Sequence, residues 1–389
     1  MDYVKPLKKL KTGGRNNIVF VGRYVQSEKL SGPEKFSRRI FAKIADRMPA
    51  ENVSFIQYFF DGRKYSLREK MFGFNETEYD GAKVYRAGLF TFYRMLKKLR
   101  PAVIHITAFE RFSVIAVLYR MLNRVKIVYT CNGVVKYENS ELKKEPFLYR
   151  LKDSICERII FRFSDKIVFP SANALDISKK YYKNSAMKAA VIPHGIDEVF
   201  CKAVGSPAAN TETGKAINAV FLYKNVLNNS GLDFLMNFLK SDESKVILHI
   251  ITKHEINTAG VNSVINVIQP METSELAEFY RDKDVFFSLN EYDTFSISTA
   301  EAMAAGVIPV VTNQTGVSSF IEDGANGFTV SYGDTQHLSG IINTILSMDQ
   351  NKQLELKRNA SAIYEKLNWD IAADSYMQHY KQLSGDLND

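Results

Sequence analysis

Short runs of β-branched and other apolar residues alternate with amphipathic stretches along this chain, in two separate series. In the first, Asn17–Gly22, Val53–Phe59, Val103–Ile106, Lys126–Thr130 and Lys166–Phe169 are too short for helices and largely apolar, as strands covered on both faces are. Between them Glu34–Arg47 carries Phe36, Ile40, Phe41 and Ile44 on one stripe, and Thr91–Leu99, Val114–Leu122 and Leu142–Phe163 also read as helices. Strand alternating with helix predicts a parallel, doubly wound sheet, because a parallel neighbour is reached only through a crossover. The pattern lapses at 201–214, where small and polar residues show no periodicity. It resumes with Ile217–Tyr223, Val246–Thr252, Val264–Val267, Val285–Ser288 and Val307–Val311. The predicted fold is α/β: two Rossmann-like domains, 1–200 and 215–368, joined by a linker at 201–214 and facing across a cleft. Open parallel sheets bind ligands beyond the carboxyl ends of their strands, so the site is expected there.

The 389 residues exceed what one core usually supports, and 46% hydrophobic content lets each domain bury its own. No apolar run approaches the ~20 residues of a membrane span. The opening MDYVKPLKKLKTGGR lacks the apolar centre of a secretion signal, so a cytoplasmic location is expected. Cys131, Cys156 and Cys201 have no CxxC spacing, which argues against a disulfide framework or a structural zinc and for packing roles. Charge is uneven: residues 1–200 hold 38 Lys and Arg against 20 Asp and Glu, and the remainder 13 against 23. The basic half has no aromatic-basic motif of the nucleic-acid-binding kinds. Its expected partner is an anionic membrane surface, met through KPLKKLK near the start and FTFYRMLKKLR at Phe90–Arg100. In the latter Phe90, Phe92, Met95 and Leu96 share a helical face and Arg94, Lys97, Lys98 and Arg100 surround it; alternatively that face packs on the sheet.

The segment Asp293–Gly306, DTFSISTAEAMAAG, follows the strand VFFSL. Its helix is expected to begin near Ser296, to offer Ser298 and Thr299 in the first turn, and to stop at Gly306 in a left-handed conformation. Such a strand-to-helix turn presents backbone amides and a positive dipole end, which suits a diphosphate. Asp293 and Glu301 place two carboxylates here, one for a sugar and one for a ribose; the plainer reading is a dipole-serving acid and a solvated helix-surface Glu. Asp282-Lys283-Asp284 forms a DxD triplet, but it precedes a strand and ends a helix, so it reads as a solvated terminus; no metal site is expected.

DTFSISTAEAMAAGVIPVVT resembles the signature of glycosyltransferase family 4: an acid, seven residues, Glu, then Ala-Met-Ala-x-Gly and a Pro-Val-Val strand. TGVSSFIEDGANGFTV, SDKIVFPSANALDISKKYY and VIPHGIDEVF resemble later and earlier parts of the family. KLNWDIAADSYMQHYKQL resembles its final helix, so 369–389 should return to the first domain. The resemblance implies the GT-B fold and a retaining, metal-independent transfer from a nucleotide sugar, with no other cofactor. It further implies that Glu301 holds the ribose, that Asp293 stands by the sugar where the family usually has Glu, and that Thr294, Phe295, Ser296, Ile297, Ser298 and Thr299 line the sugar and diphosphate. Lys224 matches a family Arg and Ser230 replaces a Lys, so Lys253 after the next strand is the candidate second cation. Gly32 matches a Gly-rich loop, and Asn132 stands where the family commonly has His and cannot titrate. His105 and His194 read as structural. The acceptor is expected to be a lipid-linked sugar of a bacterial envelope polysaccharide. The competing readings are an inactive GT-B binding partner and a nucleotide-sugar epimerase.

Overall fold

The computed structural model describes residues 17–24, 32–59, 65–79, 82–143, 145–183, 185–202, 216–224, 231–241 and 245–385. The chain divides into two compact units, Met1–Pro193 with Trp369–Asp389, and His194–Asn368. The division falls after Pro193 rather than after residue 200, because Phe200 is fully buried in the second unit, 6.1 Å ring to ring from Tyr280. Residues 203–214 of the expected linker lie outside the described residues.

The first unit is built on β1 (Ile18–Val21), β2 (Val53–Tyr58), β3 (Phe74–Tyr79), β4 (Ala82–Ala87), β5 (Val103–Ile106), β6 (Lys126–Thr130), β7 (Lys166–Phe169) and β8 (Ala189–Val191). Their order is β3-β4-β2-β1-β5-β6-β7-β8, with only β3 antiparallel to its neighbour. One face is covered by α3 (Leu89–Leu99), α4 (Val114–Leu122), α6 (Phe147–Phe163) and α7 (Ala172–Tyr181), while α2 (Leu67–Phe72) packs on α3 and α5 (Val135–Tyr137) is a single turn. The other face is covered by α1 (Gly32–Ala45) and α15 (Trp369–Ser384). In α3, Phe92, Met95 and Leu96 are fully buried, so of the expected membrane-facing stripe only Phe90 is exposed. The apolar face of that helix serves the core, and KPLKKLK lies outside the described residues.

Buried polar bonds fix α15 to this sheet. Tyr380 shares a 2.6 Å hydrogen bond with His105 Nδ1, His105 Nε2 meets Thr130 Oγ1 at 2.8 Å, and Thr130 meets the Tyr376 hydroxyl at 2.8 Å. Burial pushes His105 down to about 3, so the imidazole stays neutral and its role is structural. At the surface Lys43 of α1 donates to Asp370, and Arg47, just past α1, donates to Asp370 and Asp374, tying this segment to α15.

The second unit begins with α8 (Glu198–Lys202) and contains β9 (Ile217–Leu222), α9 (Leu232–Ser241), β10 (Val246–Ile251), β11 (Val264–Ile268), α10 (Thr273–Tyr280) and β12 (Val285–Ser288). It continues with α11 (Ile297–Ala304), β13 (Ile308–Thr312), β14 (Phe328–Val330), α12 (Thr335–Ser347), α13 (Gln350–Ser361) and α14 (Ile363–Lys366). The strand order is β11-β10-β9-β12-β13-β14, all parallel. Chain order reverses direction at β9/β12 in this sheet and at β1/β5 in the first, the places where doubly wound sheets leave a crevice for ligand.

Candidate active site

At the second unit's switch point, β12 runs into a turn that Asp293 organises. Its Oδ1 accepts hydrogen bonds from the amides of Phe295, 3.1 Å, and Ser296, 3.0 Å, and its own carbonyl accepts from Gly316. Phe295 is buried against His194, ring centroids 5.3 Å apart, and its carbonyl accepts from Val317. Burial holds His194 down to about 3, so it supports Phe295 as a neutral ring. Ser296 then turns the chain with φ 70°, a left-handed conformation that a side-chain-bearing residue adopts at a cost. Its hydroxyl is held at 3.2 Å from Ser288 and 2.7 Å from Thr299.

These bonds change which groups face a ligand. The amides of Phe295 and Ser296 are taken by Asp293, and that of Thr299 by the Ser296 carbonyl. Among the described residues, Ile297 and Ser298 are left as the first-turn amides of α11 with no acceptor within the fold. Fewer amides are thus open here than the expected lining from Thr294 to Thr299 offers. The far end of α11 follows the expectation. Gly306 has φ 80°, its amide bonds Met303 and the Val307 amide bonds Ala302, a Schellman closure.

Lys224 lies two positions past the end of β9, the neighbour of β12, is exposed, and acts electrostatically on Asp293. Burial pushes the Asp293 carboxyl up, against the opposing pull of the two amides and Lys224. Ser230 lies outside the described residues. Gly231 has φ 73°, and a β-carbon there would stand 2.3 Å from the Leu289 carbonyl oxygen, so the chain at Gly231 closes tightly on the end of β12. Lys253 follows β10, one strand further out; it is exposed, and no contact joins it to Lys224 or Asp293 among the described residues. Thr294 is half-buried beside Asp293.

Glu301 is not on the helix surface. It is 4% exposed, on a helix with nearly every residue buried, near Tyr280, whose hydroxyl is held well above its ordinary range by burial first and Glu301 second. The DxD triplet lies at the opposite, amino end of β12. There Asp284 accepts from Lys357 Nζ at 2.8 Å and from the Asn218 amide at 3.0 Å, and Asp282 pairs with Lys283. Asp284 thus has both oxygens engaged by the fold.

The model described as Glycosyl transferases group 1 matches residues 219–362, and the Glycosyltransferase Family 4 model matches 56–200, so the two units are matched in turn. The chain belongs to glycosyltransferase family 4. It is similar to an uncharacterised 41.2 kDa protein of the Klebsiella pneumoniae cps region, 23% identical over 307 residues, 74% of this chain and 81% of that one. The amylovoran biosynthesis glycosyltransferase AmsD of Erwinia amylovora is 23% identical over 303 residues, covering 74% and 77% of the two chains. HepE of Anabaena, solved in complex with UDP-glucose, matches with TM-score 0.68 and 16% identity over 94% of this chain and 99% of that one. The fold is that of the GT-B glycosyltransferases.

In this family 4 chain the first unit's switch point is built differently. Gly22, just after β1, lies so close to the residue after β5 that a β-carbon would stand 2.2 Å from Thr107 Oγ1. Arg23 then donates to Glu110 at 2.6 Å, a pairing that sequence spacing could not reveal because 87 positions separate the partners. Burial pushes Glu110 up while Arg23 pulls it down. Asn132 donates to the Thr107 carbonyl at 2.8 Å, so at least one of its amide protons holds the loop after β5. Gly32 is half-buried at the start of α1, with nothing within 4 Å of a β-carbon built there, so neither conformation nor packing demands glycine.

Proposed function

We propose that the chain is a retaining, metal-independent hexosyltransferase. Its donor is a nucleotide-diphosphate sugar, and its acceptor is a hydroxyl of a lipid-linked saccharide in bacterial envelope polysaccharide synthesis at the cytoplasmic face. The observation that carries this reading is Lys224 acting on Asp293 beside the Ile297 and Ser298 amides, at the switch point of a parallel sheet. HepE binds UDP-glucose, and the Klebsiella and Erwinia relatives belong by name to a cps region and to amylovoran biosynthesis, which supports the donor class and the polysaccharide setting.

In this mechanism the bond from the anomeric carbon to the diphosphate breaks, and its electrons stay on the leaving oxygen. The incoming hydroxyl bonds to the same face, and its proton passes to that oxygen. Lys224 and the two amides stabilise the leaving charge, the dominant requirement of such a step. The Asp293 carboxylate favours positive charge on the sugar ring, with Thr294 and Phe295 shaping its surroundings. Glu301 holds the ribose from within the α11 layer, and Lys253 contributes a second positive charge at its edge. No cofactor beyond the donor is required.

The test is a thermal-shift panel of nucleotide sugars, followed by transfer assays with and without EDTA and assignment of the product anomer by NMR. Stabilisation by one donor, EDTA-insensitive turnover and retained configuration are expected. Turnover stopped by EDTA and restored by manganese would refute the metal-free mechanism. Donor epimerisation without acceptor would identify an epimerase, and a folded chain with no turnover would mark a binding partner.

A further inference from the structure

The exposed large apolar side chains of the first unit concentrate on the helical layer opposite α1 and α15. On α4 these are Leu118, Met121 and Leu122, and on α6 Leu148, Leu151 and Ile155, each between 44% and 74% exposed. Spacings of three and four residues put each trio on one face of its helix, and the two helices pack against each other. Phe147 extends the α6 surface at its amino end. An apolar surface across neighbouring helices is uncommon on a protein with nothing to meet.

Charge indicates what meets it. Neither α3 nor α4 contains an acid, and the two acids of α6 point inward. Asp153 is bonded to Arg111 and Asn139, and Glu157 accepts from the Val135 and Lys136 amides and from Tyr182. The exposed charges of α6 are Lys152, Arg158 and Arg162, and Arg124 follows α4. Two copies of this chain meeting through the same face would set these basic residues against each other, whereas lipid phosphates complement them.

We propose that the outer faces of α4 and α6 dock on an anionic lipid bilayer, the apolar trios entering the headgroup boundary and the basic residues engaging phosphates. This deepens the lipid-linked acceptor reading and rests on it for its purpose. The surface differs from the helix that sequence patterning singled out, whose apolar stripe is buried.

The full chain is sedimented with phosphatidylcholine vesicles with and without phosphatidylglycerol, at low and high salt. Nucleotide-sugar thermal shift is read in parallel, because the substituted residues all lie outside the second unit. Binding is expected only to the anionic vesicles, weakening with salt. Lys152→Ser with Arg158→Ser should lower partitioning about thirtyfold, as roughly fivefold per basic residue implies. Leu122→Ser with Leu151→Ser and Ile155→Ser should reduce it at every salt concentration, with the thermal unfolding profile kept. Wild-type protein that responds to a donor but ignores anionic vesicles overturns the docking surface and leaves the transferase reading standing. Vesicle binding without any donor response does the reverse. A dimer in analytical ultracentrifugation that the apolar variants disperse, without vesicle binding, assigns the face to a second copy and overturns the proposal.

Discussion

Both sheets reverse their strand order beside a strand with a basic residue two positions past its end, Arg23 after β1 and Lys224 after β9. Arg23 stands 2.6 Å from a largely buried Glu110, whereas Lys224 is exposed and acts on a carboxylate already bonded to two amides. The Asp293 carboxylate is shared between its own turn and the electrostatic pull of Lys224, whereas Glu110 meets Arg23 directly. In the first unit the guanidinium is paired directly with a carboxylate of its own unit. The two units thus share a topology and differ in how the carboxylate at the switch point is engaged.

The largest expected contrast is between two buried acids. Glu301→Ala should abolish detectable transfer and, because the residue is 4% exposed, also destabilise the unit by on the order of 1–3 kcal/mol. Glu301→Gln, nearly isosteric, separates the effects: transfer is lost while thermal unfolding stays near wild type. Glu110→Gln should leave measurable turnover. Equal activity losses at the two positions would erase the distinction between the units.

Next comes the cation pair itself. Lys224→Met should lower kcat by ~10²–10³, as removal of a well-placed electrostatic donor does, and Arg23→Met by much less. Since Lys224 pulls the Asp293 carboxyl down, its removal should also move any acid limb of the rate profile that reports Asp293 to higher pH. An unmoved limb would show that Asp293 does not titrate in catalysis.

A smaller effect concerns stability alone. Burial pushes Glu157 in the first unit from 4.5 to about 7. Between these values the folded state keeps a proton that the unfolded state has lost. The resulting stabilisation is full below pH 4.5 and is lost as pH rises through 7, amounting to at most about 3 kcal/mol. Chemical denaturation across this window should show the slope in wild type and a flatter one in Glu157→Gln. Identical slopes would remove Glu157 as its source.

The smallest effect is at Ser296, which carries the left-handed turn. Both Ser296→Gly and Ser296→Ala lose the bonds to Ser288 and Thr299, but at φ 70° the Ala variant should be less stable by ~1 kcal/mol. Equal melting temperatures would contradict the left-handed turn.

Sequence determined the alternation, and with it the sheets: Val103–Ile106, Lys126–Thr130, Lys166–Phe169 and Val285–Ser288 are strands with the bounds their composition implies. It determined the turn at Asp293 and the stop at Gly306, because caps and left-handed glycines are set within a few residues. It overextended the helix read from Leu142, which starts at Phe147 after Pro146. It gave no sign of the hairpin β3–β4, whose FNETEY strand is mostly polar on both sides at the sheet edge. Only the tertiary structure decided that Glu301 is buried, that the stripe of α3 belongs to the core while the faces of α4 and α6 do not, and that Arg23 meets Glu110. Periodicity and capping act over one or two turns and are written in adjacent residues. Burial and charge pairing depend on which strands become neighbours, and that is fixed only when distant segments pack.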